Sequence, residues 1–305
     1  MKFLSLRKLR LRLKFLENFQ KITKSVGLIS ATRYRKAYQK ISQILASSYY
    51  LITLFKEILK RNPSLNKKIK EKFKFYKTNK VLVVTIASDR GLAGAFDISI
   101  FEKTKNLLKK LKEANKEVLL GVIGKKAENY FKKRLSLLFS FSKFEGLFPD
   151  QFAKEIISYL RFLIEEQKIE EIIFIVPNLT SAGYFVEEIK IFPFNLETLE
   201  DIIEKILPRI KEWQKLKEEK IFKYEFEYIL EPSPDKVLEV ILENVFYALI
   251  YVIILEAQAS LELARTITMQ RAEKNSEELI NKTRIDYNKL RQNKITQEIL
   301  DTIRI

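Results

Sequence analysis

The residues best suited to chemistry in this 305-residue chain sit just after the apolar run KVLVVTIAS (80–88). They are Asp89, Arg90, Gly91 and Gly94, within SDRGLAGAFD (88–97). An acid beside an arginine at a strand end could pair a proton acceptor with an anion clamp, and a glycine-rich turn there is where nucleotide phosphates are cradled. The spacing meets neither requirement. A dinucleotide fingerprint wants a third glycine before Gly91 or three residues after Gly94, where Ser88, Asp89 and Asp97 stand. A phosphate loop wants a glycine five residues ahead of a Gly-Lys pair; the pair is Gly124-Lys125, and Leu119 occupies that place. Asp89 and Arg90 therefore read as a turn closing a strand.

Histidine and cysteine are both absent. That removes Ser-His-Asp and Cys-His machinery, thiolate nucleophiles, disulfides and imidazole or thiolate metal sites, leaving carboxylates, Lys and Tyr for any catalysis. The acid pairs Glu165-Glu166, Glu170-Glu171 and Glu187-Glu188 carry no second feature marking them catalytic and read as solvated faces. Phe131, Phe139, Phe141, Phe144 and Phe148 read as sheet-edge core rather than a ligand cage. No cofactor and no metal is expected. A small α/β enzyme with helical arms is the poorest fit to these residues.

The net charge of +17 is uneven. Residues 1–80 carry 22 basic against three acidic side chains, residues 81–232 carry 24 against 25, and residues 233–305 carry 10 against 11. A basic first quarter suits an anionic partner, so a coiled-coil protein binding nucleic acid is one reading. The opening MKFLSLRKLRLRLKFLENF alternates basic and apolar residues in the manner of a transit peptide or surface-seeking helix, but lacks the unbroken apolar core and cleavage site of a secretory signal. It reads better as the start of a long basic helix. The longest apolar run, Val245 to Leu255, is eleven residues against the roughly 20 of a membrane span, and reads as a helix buried on most sides.

Two long elements bracket the rest. From Leu4 to about Arg61 there is one glycine, Gly27, and no proline, and Ile41, Ile44, Leu45, Ser48, Leu51, Ile52, Phe55, Ile58 and Leu59 follow helical spacing. From Pro234 to Ile305 there is no glycine and no further proline, with Ser233 as cap and an apolar edge at Tyr287, Leu290, Ile295 and Ile299. Helices this long need a partner for their stripes, and each is the other's obvious one. Between them, strands at 80–88, 117–124 and 170–178 alternate with helical stretches, the pattern of parallel pairing with crossover helices. Further strands are expected at 185–195 and 220–231, the latter alternating over Phe222, Tyr224, Phe226 and Tyr228. The predicted fold is an antiparallel two-helix coiled coil from the termini with a Rossmann-like α/β domain inserted between them. Its segments are an N-terminal helix at 1–62, a basic linker at 63–79, the α/β domain at 80–231 and a C-terminal helix at 232–305.

Four stretches resemble the gamma subunit of F-type rotary ATP synthases. They are NFQKITKSVGLISATRYRKA (18–37), SDRGLAGAFD (88–97), YILEPSPDKVLEVIL (228–242) and QASLELARTITMQRAEKNSEELINKTRIDYNKLRQNKITQEIL (258–300). Two departures stand out: Val26 where the family usually has Met, and Ala93-Gly94-Ala95 where it usually has Cys-Gly-Gly, which argues against a thiol role.

The resemblance implies a non-catalytic central-stalk rotor that couples proton flow to ATP synthesis or hydrolysis by turning inside a hexamer of alpha and beta subunits. Its foot would rest on the membrane c-ring and bind the epsilon subunit. Carried over position by position, Lys21, Val26, Arg265, Gln292, Thr296 and Asp301 are implied contacts with the alpha/beta ring. Tyr228 and Glu231 are implied contacts of the foot. The same resemblance implies no nucleic-acid partner, membrane association only through the complex, and a peripheral place on the cytoplasmic face of a bacterial inner membrane.

Overall fold

A computed structural model describes residues 5–61, 78–142, 144–145, 149–180, 183–193 and 229–303. The expected strand at 220–231 lies outside the described residues up to position 228. So do positions 63–77 of the expected linker, Phe148, and 194–195 of the strand expected at 185–195.

Two helices dominate: α1, Leu6–Arg61, and α5, Pro234–Ile303. Their length follows from the absence of breakers, since a single Gly interrupts neither helical periodicity nor the backbone ladder. Ser233 caps α5, its Oγ accepting the Lys236 N–H at 3.4 Å. Between them run β1 (Lys80–Ile86), α2 (Phe96–Glu113), β2 (Glu117–Ile123), α3 (Lys125–Phe131), β3 (Phe139–Phe141), α4 (Pro149–Gln167), β4 (Glu171–Thr180) and β5 (Gly183–Phe192).

The five strands form one sheet in the order β3-β2-β1-β4-β5. β1 lies parallel between β2 and β4, β3 adds parallel to β2, and β5 folds back antiparallel on β4. A central strand covered on both faces must be apolar on both, which is why Val81, Leu82, Val83 and Val84 run consecutively and are all fully buried. The Phe-rich stretch supplies an edge strand: Phe139 and Phe141 pair beside Gly121 and Ile123 of β2.

Right-handed crossovers from β1 to β2 to β3 put α2 and α3 on one face of the sheet. They pack as a layer in which Phe101 stacks on Tyr130 at 4.4 Å. Helix α4, returning from β3 to β4, takes the other face.

Contacts divide the chain into two compact units: residues 1–32 with 262–305, and residues 33–261. Both long helices therefore contribute to both units, and the division falls inside them. In the second unit α5 is buried nearly all round from Ala248 to Ala257, as the apolar run demands. An 18-residue window of α5 is long and apolar enough to cross a membrane by composition, yet 67% of it is buried within the chain. Polar ties fix this part of α5. The Tyr247 hydroxyl donates to Asp150 of α4, Ser260 Oγ donates to the Pro177 carbonyl of β4 at 3.1 Å, and Glu243 meets Arg161 at 3.2 Å. Ile41, Leu45, Ser48, Ile52, Phe55, Ile58 and Leu59 of α1 are buried in the same unit, along the seam expected from their spacing.

Candidate functional site

The first unit is a pair of helical segments, and its seam has a seven-residue step. The buried residues of α1 include Leu9, Leu16, Thr23 and Ser30, and those of α5 include Met269, Ser276 and Thr283, with Ile280 between and Glu262, Ala264, Arg265 and Thr266 at the start of the unit. Seven-residue spacing keeps one edge of each helix facing its partner. The two segments run antiparallel: Gly27 lies against Met269, and Glu17, ten residues earlier, meets Arg284 at 3.4 Å.

Much of this seam is small or hydroxylated. Thr23, Ser276 and Thr283 turn their hydroxyls onto carbonyls of their own helix at 2.9, 2.6 and 2.7 Å, so the buried oxygens are satisfied without crossing the interface.

An exposed face of α1 carries a second stripe that the sequence reading missed. Leu11, Phe15, Phe19, Ile22 and Ile29 are 41–66% exposed and follow helical steps along a flank of the helix beside the seam, with Val26 half-buried among them. The signal was present in the four-four-three spacing of 11, 15, 19 and 22, masked by the lysines and arginines interleaved with it. Exposed apolar rows of this size mark contact surfaces rather than solvent faces.

The expected contact residues fall mostly in this unit. Lys21, Gln292, Thr296 and Asp301 are exposed, and Thr296 spends its hydroxyl on the Gln292 carbonyl at 3.0 Å. Arg265 differs. It is only 6% exposed and meets Glu262, one turn earlier, at 3.3 Å. Glu231 is exposed just ahead of α5 in the second unit, and Tyr228 lies outside the described residues. The expected apolar edge of α5 holds at Tyr287 and Leu290, which are half-buried, but Ile295 and Ile299 are 43% and 54% exposed. From Arg291 to Ile303 every residue of α5 is exposed among the described residues.

The strand-end loop is spent on itself. Asp97 accepts hydrogen bonds from the backbone N–H and hydroxyl of Ser88 at 2.9 and 2.7 Å. Asp89 accepts the N–H groups of Lys125 and Glu145 at 3.0 and 3.1 Å, and Glu145 returns the favour to the N–H groups of Asp89 and Arg90 at 2.6 and 3.0 Å. Gly124, at φ 102°, abuts the Ala87 carbonyl so closely that any side chain would collide. A carboxylate fills the first turn of α2 where a phosphate would have to sit, and the polar groups close a turn rather than line a cleft. The reading of Asp89 and Arg90 as a turn accords with this geometry.

Comparison with known proteins adds the following. A family model described as ATP synthase matches residues 5–304. The ATP synthase gamma chain of Protochlamydia amoebophila is 31% identical, over 97% of this chain and 96% of that one. That of Persephonella marina is 29% identical, over 98% and 97%. Among solved structures, a chain of the Euglena gracilis mitochondrial ATP synthase, in a structure of OSCP, F1 and c-ring, matches 98% of this chain and 92% of its own length. Its TM-score is 0.58 at 15% identity. A chain of the Tetrahymena thermophila mitochondrial ATP synthase central stalk and c-ring matches 82% and 99%, with a TM-score of 0.55 at 17% identity. These likenesses extend over the coil and the sheet alike, and none of the names speaks for nucleic-acid binding.

Proposed function

This chain belongs to the ATP synthase gamma-chain family, and from that premise we propose that it is the central shaft of a rotary ATP synthase, turning inside a ring of alpha and beta subunits without catalysing a reaction itself. The observation that carries this reading is the exposed stripe of Leu11, Phe15, Phe19, Ile22 and Ile29, together with the bare apolar end of α5 at Ile295, Ile299, Leu300 and Ile303. An isolated coil exposing both would aggregate; a sleeve of other subunits covers them.

The coil is lopsided. Residues 6–32 carry seven basic side chains against one acid, whereas residues 262–303 carry eight against seven. A ring of equivalent sites around such a shaft meets a different charge and shape at each orientation. Each orientation can then favour a different site conformation by differential contact, and that difference is what coupling requires.

Lys21, Val26, Gln292, Thr296 and Asp301 are the side chains we assign to the ring. Arg265 is assigned with them, although it is buried beside Glu262. Tyr228 and Glu231 are assigned to the foot, against the c-ring and the epsilon subunit. On this reading the chain is peripheral, held through the complex at the cytoplasmic face of a bacterial inner membrane.

Reconstitution tests the reading. The purified chain alone should hydrolyse no ATP and should restore rotation-coupled hydrolysis when mixed with alpha and beta subunits. A chain carrying Phe15→Glu and Phe19→Glu should fold but fail to assemble. Full assembly by that variant would overturn the assignment of the stripe.

A further inference from the structure

We propose that the outward face of the α2–α3 layer binds an anionic phospholipid headgroup surface. The inference rests on the second unit alone and adds a direct lipid contact to the hold through the complex given above. Residues 96–134 hold ten Lys and one Arg against five acids, whereas the remainder of 81–232 holds 13 basic side chains against 20 acidic. Among the described residues of 81–232 outside this stretch there are five basic side chains against 11 acidic, so the basic charge gathers on α2 and α3.

The two helices present this charge as one surface. Phe101 of α2 stacks on Tyr130 and meets Phe131 edge-on at 5.5 Å, which locks α3 beside α2. Lys105, Lys109 and Lys112 recur at steps of four and three along α2 and are exposed, as are Lys126, Lys132 and Lys133 at α3. Acids do little to cancel them. The pairs Lys109–Glu113 and Lys132–Glu128 are one-turn contacts at 3.8 Å with highly exposed ammonium groups, a geometry that contributes little.

The chemistry of the surface selects the partner. A protein interface has an apolar or aromatic centre. Here the large exposed apolar side chains are Leu92, ahead of α2, and Ile98, in its first turn on the side of Lys105, and from Lys105 to Lys133 there is none among the described residues. Lysine is a compact point charge without the planar fork that reads a single carboxylate or phosphate, so ten Lys to one Arg suits a diffuse field of headgroups.

The basic α1 would also draw the chain to anionic vesicles, so the readout must be local. Because the chain has no cysteine, Asn106→Cys places one environment-sensitive fluorophore among the lysines, and Asn288→Cys places a control label on α5. With phosphatidylcholine vesicles containing one part in three phosphatidylglycerol, the label at 106 should shift; with phosphatidylcholine alone it should not. Each of Lys105→Gln, Lys109→Gln, Lys112→Gln and Lys133→Gln should raise the half-saturating lipid concentration about fivefold, with circular dichroism confirming that each variant is folded. The proposal is overturned if the label at 106 stays silent while the label at 288 responds. It is equally overturned by an equal response to neutral vesicles, or by a response to soluble polyglutamate and none to vesicles, which would point to an acidic protein instead.

Discussion

A Cβ placed on Gly27 would stand 3.3 Å from the Cβ of Met269, so the two helices of the coil lie close together where α1 has its one glycine. Gly27→Ala sets a gain in helix propensity of about 1 kcal/mol against a contact that must yield by a few tenths of an ångström, and should leave stability nearly unchanged. Gly27→Leu has no such room. It should cost about 1–3 kcal/mol by overpacking, measured by chemical denaturation. A Leu variant as stable as the parent would mean that the seam is looser here than Met269 implies.

Arg265 and Glu262 test whether a buried pair holds the coil. Removing the arginine takes its 3.3 Å partner from the buried Glu262 carboxylate, so Arg265→Ala should cost about 3 kcal/mol. Removing both should cost less than the two single losses summed, and the double-mutant cycle reads the difference. Strict additivity would show that the 3.3 Å contact carries no coupling.

Asn178 is fully buried in β4, and neither its amide nitrogen nor its amide oxygen has a hydrogen-bond partner among the described residues. An unsatisfied buried amide costs about 1–3 kcal/mol, which an apolar side chain of similar shape recovers. Asn178→Leu should therefore raise the melting temperature of the chain. A fall would reveal a polar partner for Asn178 in the folded chain.

The Tyr247–Asp150 hydrogen bond should make stability depend on pH at both ends. The Tyr247 hydroxyl, followed by the Lys154 ammonium, holds the Asp150 carboxyl below the ordinary carboxylate range. Its contribution is present at neutral pH and is lost as pH falls through that lowered range. Burial first, then the Asp150 carboxylate, pushes the Tyr247 hydroxyl well above its ordinary 10. That contribution is intact below pH 10 and is lost only as pH rises toward the raised value. Melting curves of Tyr247→Phe against the parent from pH 3 to 11 should show the largest gap near neutrality, narrowing at either extreme. A gap independent of pH would assign the effect to packing.

Several elements were legible in the sequence because their cause is local. Long stretches without Gly or Pro, with apolar residues at helical spacing, specify helices wherever they dock, and α1 and α5 follow. The β-branched run 81–86 specifies a strand covered on both faces. Missing glycines at 88, 89, 97 and 119 spoke against phosphate loops from the sequence alone.

What the sequence could not decide depended on where distant chain segments end and meet. The apolar pattern of α5 continues through Ile295 and Ile299 whether or not anything covers them, and only the structure shows both side chains exposed. An arginine in a helix gives no sign of which side it faces, so the burial of Arg265 against Glu262 emerged from the packing of the pair. The charge of residues 81–232 cancels when counted along the chain. The crossovers lay the lysines of α2 and α3 on one face, because pairing between β1, β2 and β3 joins residues tens of positions apart.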